Sequence, residues 1–418
     1  MDIVERRRQL HRRPEVGFCE FFTSSVVIAE LTRFGYELQW GPAVADLSAV
    51  RGLPEPEELA HAKRRAVGYG ADPHLVDELD AGGTAVVATL AGIRPGPVTA
   101  LRFDMDALPL TESEQVFHRP AELGFRSEHP GEMHACGHDG HVAIGLALAE
   151  RLADRDFAGA VRLVFQPAEE GGRGAAPLVA AGACEGVDRL VCLHLGLNLP
   201  FSAIAAGSTG FFANSKLKAS FAGVPAHAAA APEQGRNALL GAATALLNIH
   251  ALPRFSTADT RVNVGTLRGG TAANIIPAAA QMMIETRATD GSVNLELTRR
   301  VHGILEHAAA MHELQVSVEN IGGATTASCD PALVAEVRRA AQALPGVLDI
   351  TDDHDVKVSD DATVLMRTVQ SGGGLATYAV VGASSPGPHH SPTFDIDERA
   401  LPLAVDLLET CLKGVTDV

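Results

Sequence analysis

Nine consecutive residues, Met133-His134-Ala135-Cys136-Gly137-His138-Asp139-Gly140-His141, carry a thiol, three imidazoles and a carboxylate. Cysteine thiolate and neutral imidazole are the donors that borderline cations such as zinc prefer. The apolar run at 142–152 reads as a helix, so the cluster stands where a loop enters a helix and its donors project from a fixed backbone. A lone histidine in such a loop is ordinarily solvated or structural. This many donors in one turn point to a metal, with further ligands required from elsewhere.

Those donors recur after separate β-segments. Residues 161–165 read as a buried strand that ends in Gln166-Pro167-Ala168-Glu169-Glu170-Gly171. The chain turns there, so the two adjacent carboxylates point different ways; one can bind metal while the other works as a base on activated water. Residues 190–193 read as a strand delivering His194, and 377–382 as a strand whose loop carries His389 and His390. Open α/β sheets build their sites at such strand ends.

These stretches, 134–141, 165–171, His194 and His390, resemble the M20 metallopeptidase family and fit its amidohydrolase branch. The nearest likeness is to the p-aminobenzoyl-glutamate hydrolase group, through Ala226-His227 to Asn237, Arg261-Val-Asn-Val-Gly265, Asn274-Ile-Ile-Pro277 and Ser359-Asp-Asp-Ala362. The resemblance implies Cys136, His138, Glu170, His194 and His390 as metal ligands and Glu169 as general base. Five donors exceed what one tetrahedral ion needs and suit two divalent ions roughly 3.5–4 Å apart, manganese or zinc, with cobalt also compatible. The order of the two glutamates comes from the resemblance, and His389 stays interchangeable with its neighbour as a ligand. In Asp104-Met105-Asp106 an aspartate stands where other members have histidine; Asp106 is expected to orient a ligand imidazole. His134, Asp139 and His141 are expected to support the site. The resemblance further implies that His227 stabilises the oxyanion in a neighbouring subunit's site, which makes a homodimer the functional unit. Asn274 and Arg287 resemble residues that clamp the substrate's carbonyl and carboxylate, a task guanidinium suits; the plain alternative for Arg287 is a sheet-edge salt bridge.

The activity so implied is metal-dependent cleavage of an N-aroyl or N-acyl amino acid, with p-aminobenzoyl-glutamate as the reference substrate. Two other readings remain open: displacement of ammonia from an activated aminobenzoate such as a nitroanthranilate, and a non-catalytic binding or partner subunit on the same fold.

The elements that must position these groups follow a pattern. Helical and strand segments alternate to about 212. From 213 the order becomes β-α-β-β-α-β, the signature of a ferredoxin-like unit. After 325 the first pattern returns. The expected fold is α/β: a catalytic domain over 1–212 and 325–418 with a mixed central sheet flanked by helices, interrupted by a lid or dimerisation domain over 213–324. Residues 52–80 read as an insertion. Near the start, Arg6-Arg7-Arg8 and Arg12-Arg13 read as a solvated helix face, and His11-Arg12-Arg13-Pro14-Glu15 suggests no chemistry.

Composition agrees with an enzyme of small molecules. The chain has 418 residues, 46% of them apolar, enough for two cores. Its net charge of −17 argues against nucleic acid and anionic membranes as partners. Six cysteines without a CxxC pair, a charged N-terminus and the lack of any membrane-length apolar run point to the reducing cytoplasm.

Overall fold

The computed structural model describes residues 1–79 and 82–414. Asp80, the last residue of the expected insertion, and residues 415–418 lie outside the described residues. The chain divides into two compact units: Met1–Gly210, Ala327–Lys357 and the segment from Asp361 onward form the first, and Phe211–Thr326 with Val358–Asp360 the second.

The first unit is built on an eight-stranded mixed sheet. Its strands run in the order Glu37–Trp40, Val86–Ala91, Ala158–Gln166, Arg94–Asp104, Arg189–Leu195, Leu375–Val381, Ala203–Ala205 and Asp349–Thr351. Four neighbours in the middle, Ala158–Gln166, Arg94–Asp104, Arg189–Leu195 and Leu375–Val381, are mutually parallel. Their C-terminal ends therefore open on one edge, and each is followed by or contains an expected site residue: Glu169 and Glu170, Asp106, His194, and His389 with His390. Near-continuous burial along these strands reflects helices on both faces, as parallel sheets require.

The helix His138–Arg151 carries the donor motif in its first turn. Its N-cap is Gly137 at φ +93°, a left-handed conformation that glycine adopts without steric cost and that turns the chain sharply between Cys136 and His138. This helix is buried almost all round, packed between the N-terminal helix Ile3–Arg12 and the C-terminal helix Ala400–Lys413. The 52–80 segment is no loose surface decoration. Its helix Pro56–Gly68 buries Leu59, Ala62 and Ala66 against the main core, and Arg65 pairs with Glu132 at 2.7 Å.

The second unit is a four-stranded antiparallel sheet in the order Gln315–Ala324, Ala213–Ala222, Ala279–Ala288, Thr260–Gly269. The helices Ala238–His250 and Gly291–Met311 cover one face, and alternate strand residues such as Leu217, Ala219, Met282 and Ile284 fill the core beneath them. The other face is lined by polar side chains, among them Lys216, Lys218, Glu285 and Arg287.

The N-terminal arginines depart from expectation. Arg6 and Arg7 are buried at 2% and 0% exposure. Arg6 bonds Glu30 at 2.9 Å, and Arg7 bonds Asp139 and Asp395 at 2.7 and 2.8 Å. Burial of a guanidinium requires this degree of pairing. A run of arginines on a short helix looks the same in sequence whether its partners are water or remote carboxylates.

Candidate metal centre

The parallel strands and the helix His138–Arg151 bring most of the expected donors to one place. Ligand atoms of Cys136, His138 and His194 lie within 4.8 Å of one another; so do those of Cys136, Glu170 and His390, and those of His138, Glu169 and Glu170. Cys136, His138 and Glu170 are shared between these sets, so the groups form one continuous constellation. Cys136 Sγ is 3.6 Å from His194 Nε2, and His390 Nε2 is 3.1 Å from Glu170 Oε1.

Two of the imidazoles are held in the tautomer a cation needs. His138 Nδ1 donates to the Asp106 carbonyl at 2.8 Å, and His194 Nδ1 to the Leu195 carbonyl at 2.8 Å. Each Nε2 is then the nitrogen that would face a cation. Among the described residues the buried His138 Nε2 makes no hydrogen bond, Asp104 Oδ2 standing 3.7 Å away, an uncommon state for a buried nitrogen and one that a cation would relieve. His141 is different. Its Nδ1 bonds Asp104 and its Nε2 accepts the Leu195 N–H at 3.0 Å, so both nitrogens are used. Asp104 is held in turn by Arg102, which also bonds Gln166 at 2.9 Å. Asp104 and His141 thus buttress the floor of the site. His134 is buried, but among the described residues neither of its ring nitrogens finds a hydrogen-bond partner.

Asp106 organises the acidic loop. Its Oδ1 accepts the Glu169 N–H at 3.0 Å and its Oδ2 the Glu170 N–H at 2.9 Å. One carboxylate fixes the backbone of both acids, and the carbonyl of the same residue fixes the tautomer of His138.

The electrostatics describe a place that wants positive charge. Hydrogen bonds to Cys136 and Glu170 push the His390 imidazole up to about 10. Burial alone would lower His138, yet Asp104 and Cys136 hold it well above its ordinary value. Burial raises the Cys136 thiol. Protons are drawn onto these imidazoles by the same donors that would surround a cation. His389 is set apart from this group: burial lowers it to about 4, and its ring packs 4.7 Å from Phe394 and 5.7 Å from His194.

The family's sequence profile, Peptidase family M20/M25/M40, matches residues 100–414, a stretch that includes every one of these donors. The chain belongs to this family. Indole-3-acetyl-aspartic acid hydrolase of Enterobacter agglomerans is 42% identical, covering 97% of this chain and 94% of that protein. One of the subunits of p-aminobenzoyl-glutamate hydrolase from Escherichia coli (strain K12) is 41% identical, covering 96% and 93%. The crystal structure of the aminobenzoyl-glutamate utilization protein from Klebsiella pneumoniae superposes with a TM-score of 0.86 at 36% identity, covering 99% of this chain and 95% of that one. This M20 protein is an enzyme, a metal-dependent hydrolase of the amide bond in N-acyl amino acids.

The three remaining expected site residues of the M20 chain lie in the second unit. His227 pairs through a β-bridge with Ile275, and the Asn274 carbonyl accepts the Ala228 N–H at 3.0 Å, so His227 and Asn274 share one corner. His227 Nδ1 accepts the N–H groups of Ala229 and Ala230 at 3.2 and 3.1 Å, leaving Nε2 as the donor. Arg287 lies on the inner strand Ala279–Ala288 and pairs with Glu285 at 3.0 Å.

Sequence reasoning missed the residues behind the donors: Arg7 and His11 on Asp139, Glu20 on Ala168, and Asp361, which accepts the N–H groups of Gly174 and Ala175 at 3.0 and 2.9 Å. One signal was present. Arg7 and His11 stand four apart on a helix, on one face, and a carboxylate sits inside the donor motif without an assigned partner.

Proposed function

We propose that the chain hydrolyses an N-aroyl amino acid with an acidic amino-acid part, p-aminobenzoyl-glutamate or a close analogue, on two divalent ions held by Cys136, His138, Glu170, His194 and His390. The observation that carries this reading is the convergence of those five side chains with Glu169 within overlapping 4.8 Å sets. The donor chemistry fits the ions: a thiol that a bound cation would ionise, three imidazoles and carboxylates, in a site whose anionic groups otherwise collect protons. Manganese, zinc and cobalt are all compatible with these donors. The bound ions supply Lewis acidity, which makes water a competent nucleophile near neutral pH.

The chain's own residues do the rest. Glu169, its backbone fixed by Asp106, takes a proton from the attacking water and returns it to the leaving nitrogen. His227 offers its Nε2 hydrogen to the carbonyl oxygen as charge develops there, acting on a second copy of the chain. Asn274 and Arg287 bind the carbonyl and carboxylate of the substrate, Arg287 exchanging its contact with Glu285 for the ligand.

A homodimer is supported by the second unit's exposed apolar surface. Leu240 and Leu247 of the helix Ala238–His250 are 53% and 69% exposed and stand two turns apart on one face. The neighbouring strand Thr260–Gly269 is the edge of its sheet, with one row of backbone groups unpaired by the sheet. Among the described residues none of the six cysteines is joined in a disulfide, which supports a reducing compartment. Among the described residues no helix is long and apolar enough to cross a membrane.

The test is to incubate the manganese-, zinc- and cobalt-loaded protein separately with p-aminobenzoyl-glutamate, indole-3-acetyl-aspartate and nitro-substituted 2-aminobenzoates. Released amino acid and released ammonia are then assayed. Amino-acid release that Glu169→Ala abolishes supports the proposal. Ammonia alone would replace it with aromatic deamination, and silence with every substrate would point to a missing partner subunit.

A further inference from the structure

The N-terminal segment 14–20, to which sequence reasoning gave no chemistry, runs directly beneath the acidic loop. Gly17 passes so close that a Cβ there would lie 2.9 Å from Ala168 Cα. Phe18, Val50 and Ala168 form a small buried apolar cluster of their own. Ala168 itself has φ +50°, a left-handed conformation rare for a residue with a side chain. It immediately precedes Glu169 and Glu170. Rotating it to an ordinary φ would redirect both carboxylates at once.

Glu20 bonds the backbone of Ala168. The side chain is 0% exposed; Oε1 accepts the Ala168 N–H at 2.8 Å, and Oε2 accepts the Thr84 hydroxyl at 2.7 Å. Burial of a carboxyl group is costly unless its hydrogen bonds are made, and here one of those bonds goes to the strained residue. The loop is then suspended in sequence: Ala168 from Glu20, Glu169 and Glu170 from Asp106, and Gly174 and Ala175 from Asp361. The middle support belongs to the metal site, because Asp106 also fixes His138. The first does not; its hydrogen-bonded link to the acidic loop is the backbone N–H of Ala168.

We infer that Glu20 is a positioning residue, which locks Ala168 in its left-handed conformation and thereby aims Glu169 at the water and Glu170 at the metal. The inference rests on the roles proposed above for those two glutamates. Strain held at a functional site persists only where its surroundings over-determine it, and Glu20, Gly17 and the Phe18 packing supply that determination.

The test compares Glu20→Ala, Glu20→Gln, and Glu20→Ala combined with Ala168→Gly in the full-length, metal-loaded protein. Two readouts are taken: the kcat and KM for p-aminobenzoyl-glutamate, and the visible absorption spectrum of the cobalt(II) form, which reports coordination without turnover. Glu20→Ala is expected to lower kcat on the order of 100-fold, the scale of a small misplacement of reacting groups, with little change in KM and an altered cobalt spectrum. Glu20→Gln keeps an acceptor oxygen for the Ala168 N–H and should restore both. Ala168→Gly in the Glu20→Ala background should recover about 10-fold in kcat, because glycine takes positive φ without help. If Glu20→Ala does not fold, Glu20→Asp, which withdraws the carboxylate by one methylene, carries the same expectation.

Glu20→Ala, or Glu20→Asp where Glu20→Ala does not fold, with wild-type kcat and a wild-type cobalt spectrum overturns the inference. So does a loss that neither Glu20→Gln nor the added glycine reverses. Wild-type protein without turnover would remove the proposed activity instead, and the cobalt spectra alone would then decide for or against Glu20.

Discussion

Arg7 and Asp139 meet in a salt bridge from which water is fully excluded: Nε to Oδ2 is 2.7 Å and both side chains are 0% exposed. The pair joins the first helix of the chain to the first turn of the helix that presents His138. Asp395 and Glu398, from the segment after His390, close on the same guanidinium at 2.8 and 3.4 Å. One arginine therefore ties together two of the loops that hold the site's donors.

Replacing that arginine removes the one counter-charge that the buried Asp139, Asp395 and Glu398 share. Arg7→Met is expected to destabilise the protein by about 3–5 kcal/mol, read as a fall in the urea midpoint, and to lower metal occupancy with it. Arg8, whose side chain is 24% exposed where it pairs with Glu398, is the control. Arg8→Met should cost about 1 kcal/mol or less. Equal losses from the two would show that the network is not what fixes the loops.

Cys136 should report metal directly. The metal-loaded protein is expected to react slowly with a chromogenic disulfide at this position. Chelation should abolish turnover and uncover a faster-reacting thiol that Cys136→Ser lacks, and re-adding manganese, zinc or cobalt should reverse both effects. Unchanged thiol kinetics after chelation would remove Cys136 from the ligand set.

Stability should fall on both sides of a pH plateau, for reasons that can be assigned. Burial would raise the Glu112 carboxyl, but hydrogen bonds from His11 and His118 bring it down to about 2 from the usual 4.5. Its contribution is present above about 4.5 and is lost as pH falls from there through 2. Burial and Arg7 would lower the His11 imidazole, but Asp139 and Glu112 push it up to about 9 from 6.5. That contribution is complete below 6.5 and is lost as pH rises through 9. Urea midpoints measured across this range should show a flatter acid limb in Glu112→Gln and a flatter alkaline limb in His11→Asn. Identical profiles in variant and wild type would refute the assignment.

His227 should act across subunits. His227→Ala alone is expected to lower kcat roughly 100- to 1,000-fold, the usual cost of losing an oxyanion donor. Mixing it with inactive Glu169→Ala under subunit exchange should regain activity, because the mixed dimer joins an intact Glu169 to a partner that carries His227. Leu247→Asp should shift the protein to monomer in sedimentation and remove that complementation. Absence of any regain from well-exchanged dimers would place His227 outside its neighbour's site.

The residue types of the site were legible in the sequence. Thiol, imidazole and carboxylate are unusual in such density, and their positions after apolar runs marked the strand ends. The β-α-β-β-α-β order of the second unit was legible too, because periodicity and turn residues are local signals. So was family membership, since the motifs stand in unbroken stretches.

Tertiary structure decided which of those residues face one another. It separated His390, beside Cys136 and Glu170, from His389, packed on Phe394. It spent both nitrogens of His141 on Asp104 and Leu195 while leaving Nε2 of His138 without a hydrogen bond among the described residues. It turned Arg6 and Arg7 from an expected solvated face into buried ions, and set Glu20 under Ala168 across 148 residues of chain. The physical reason is common to all four. A side chain's chemistry is carried by its own atoms, but its protonation, tautomer and burial depend on neighbours that only the folded chain brings within a few ångströms.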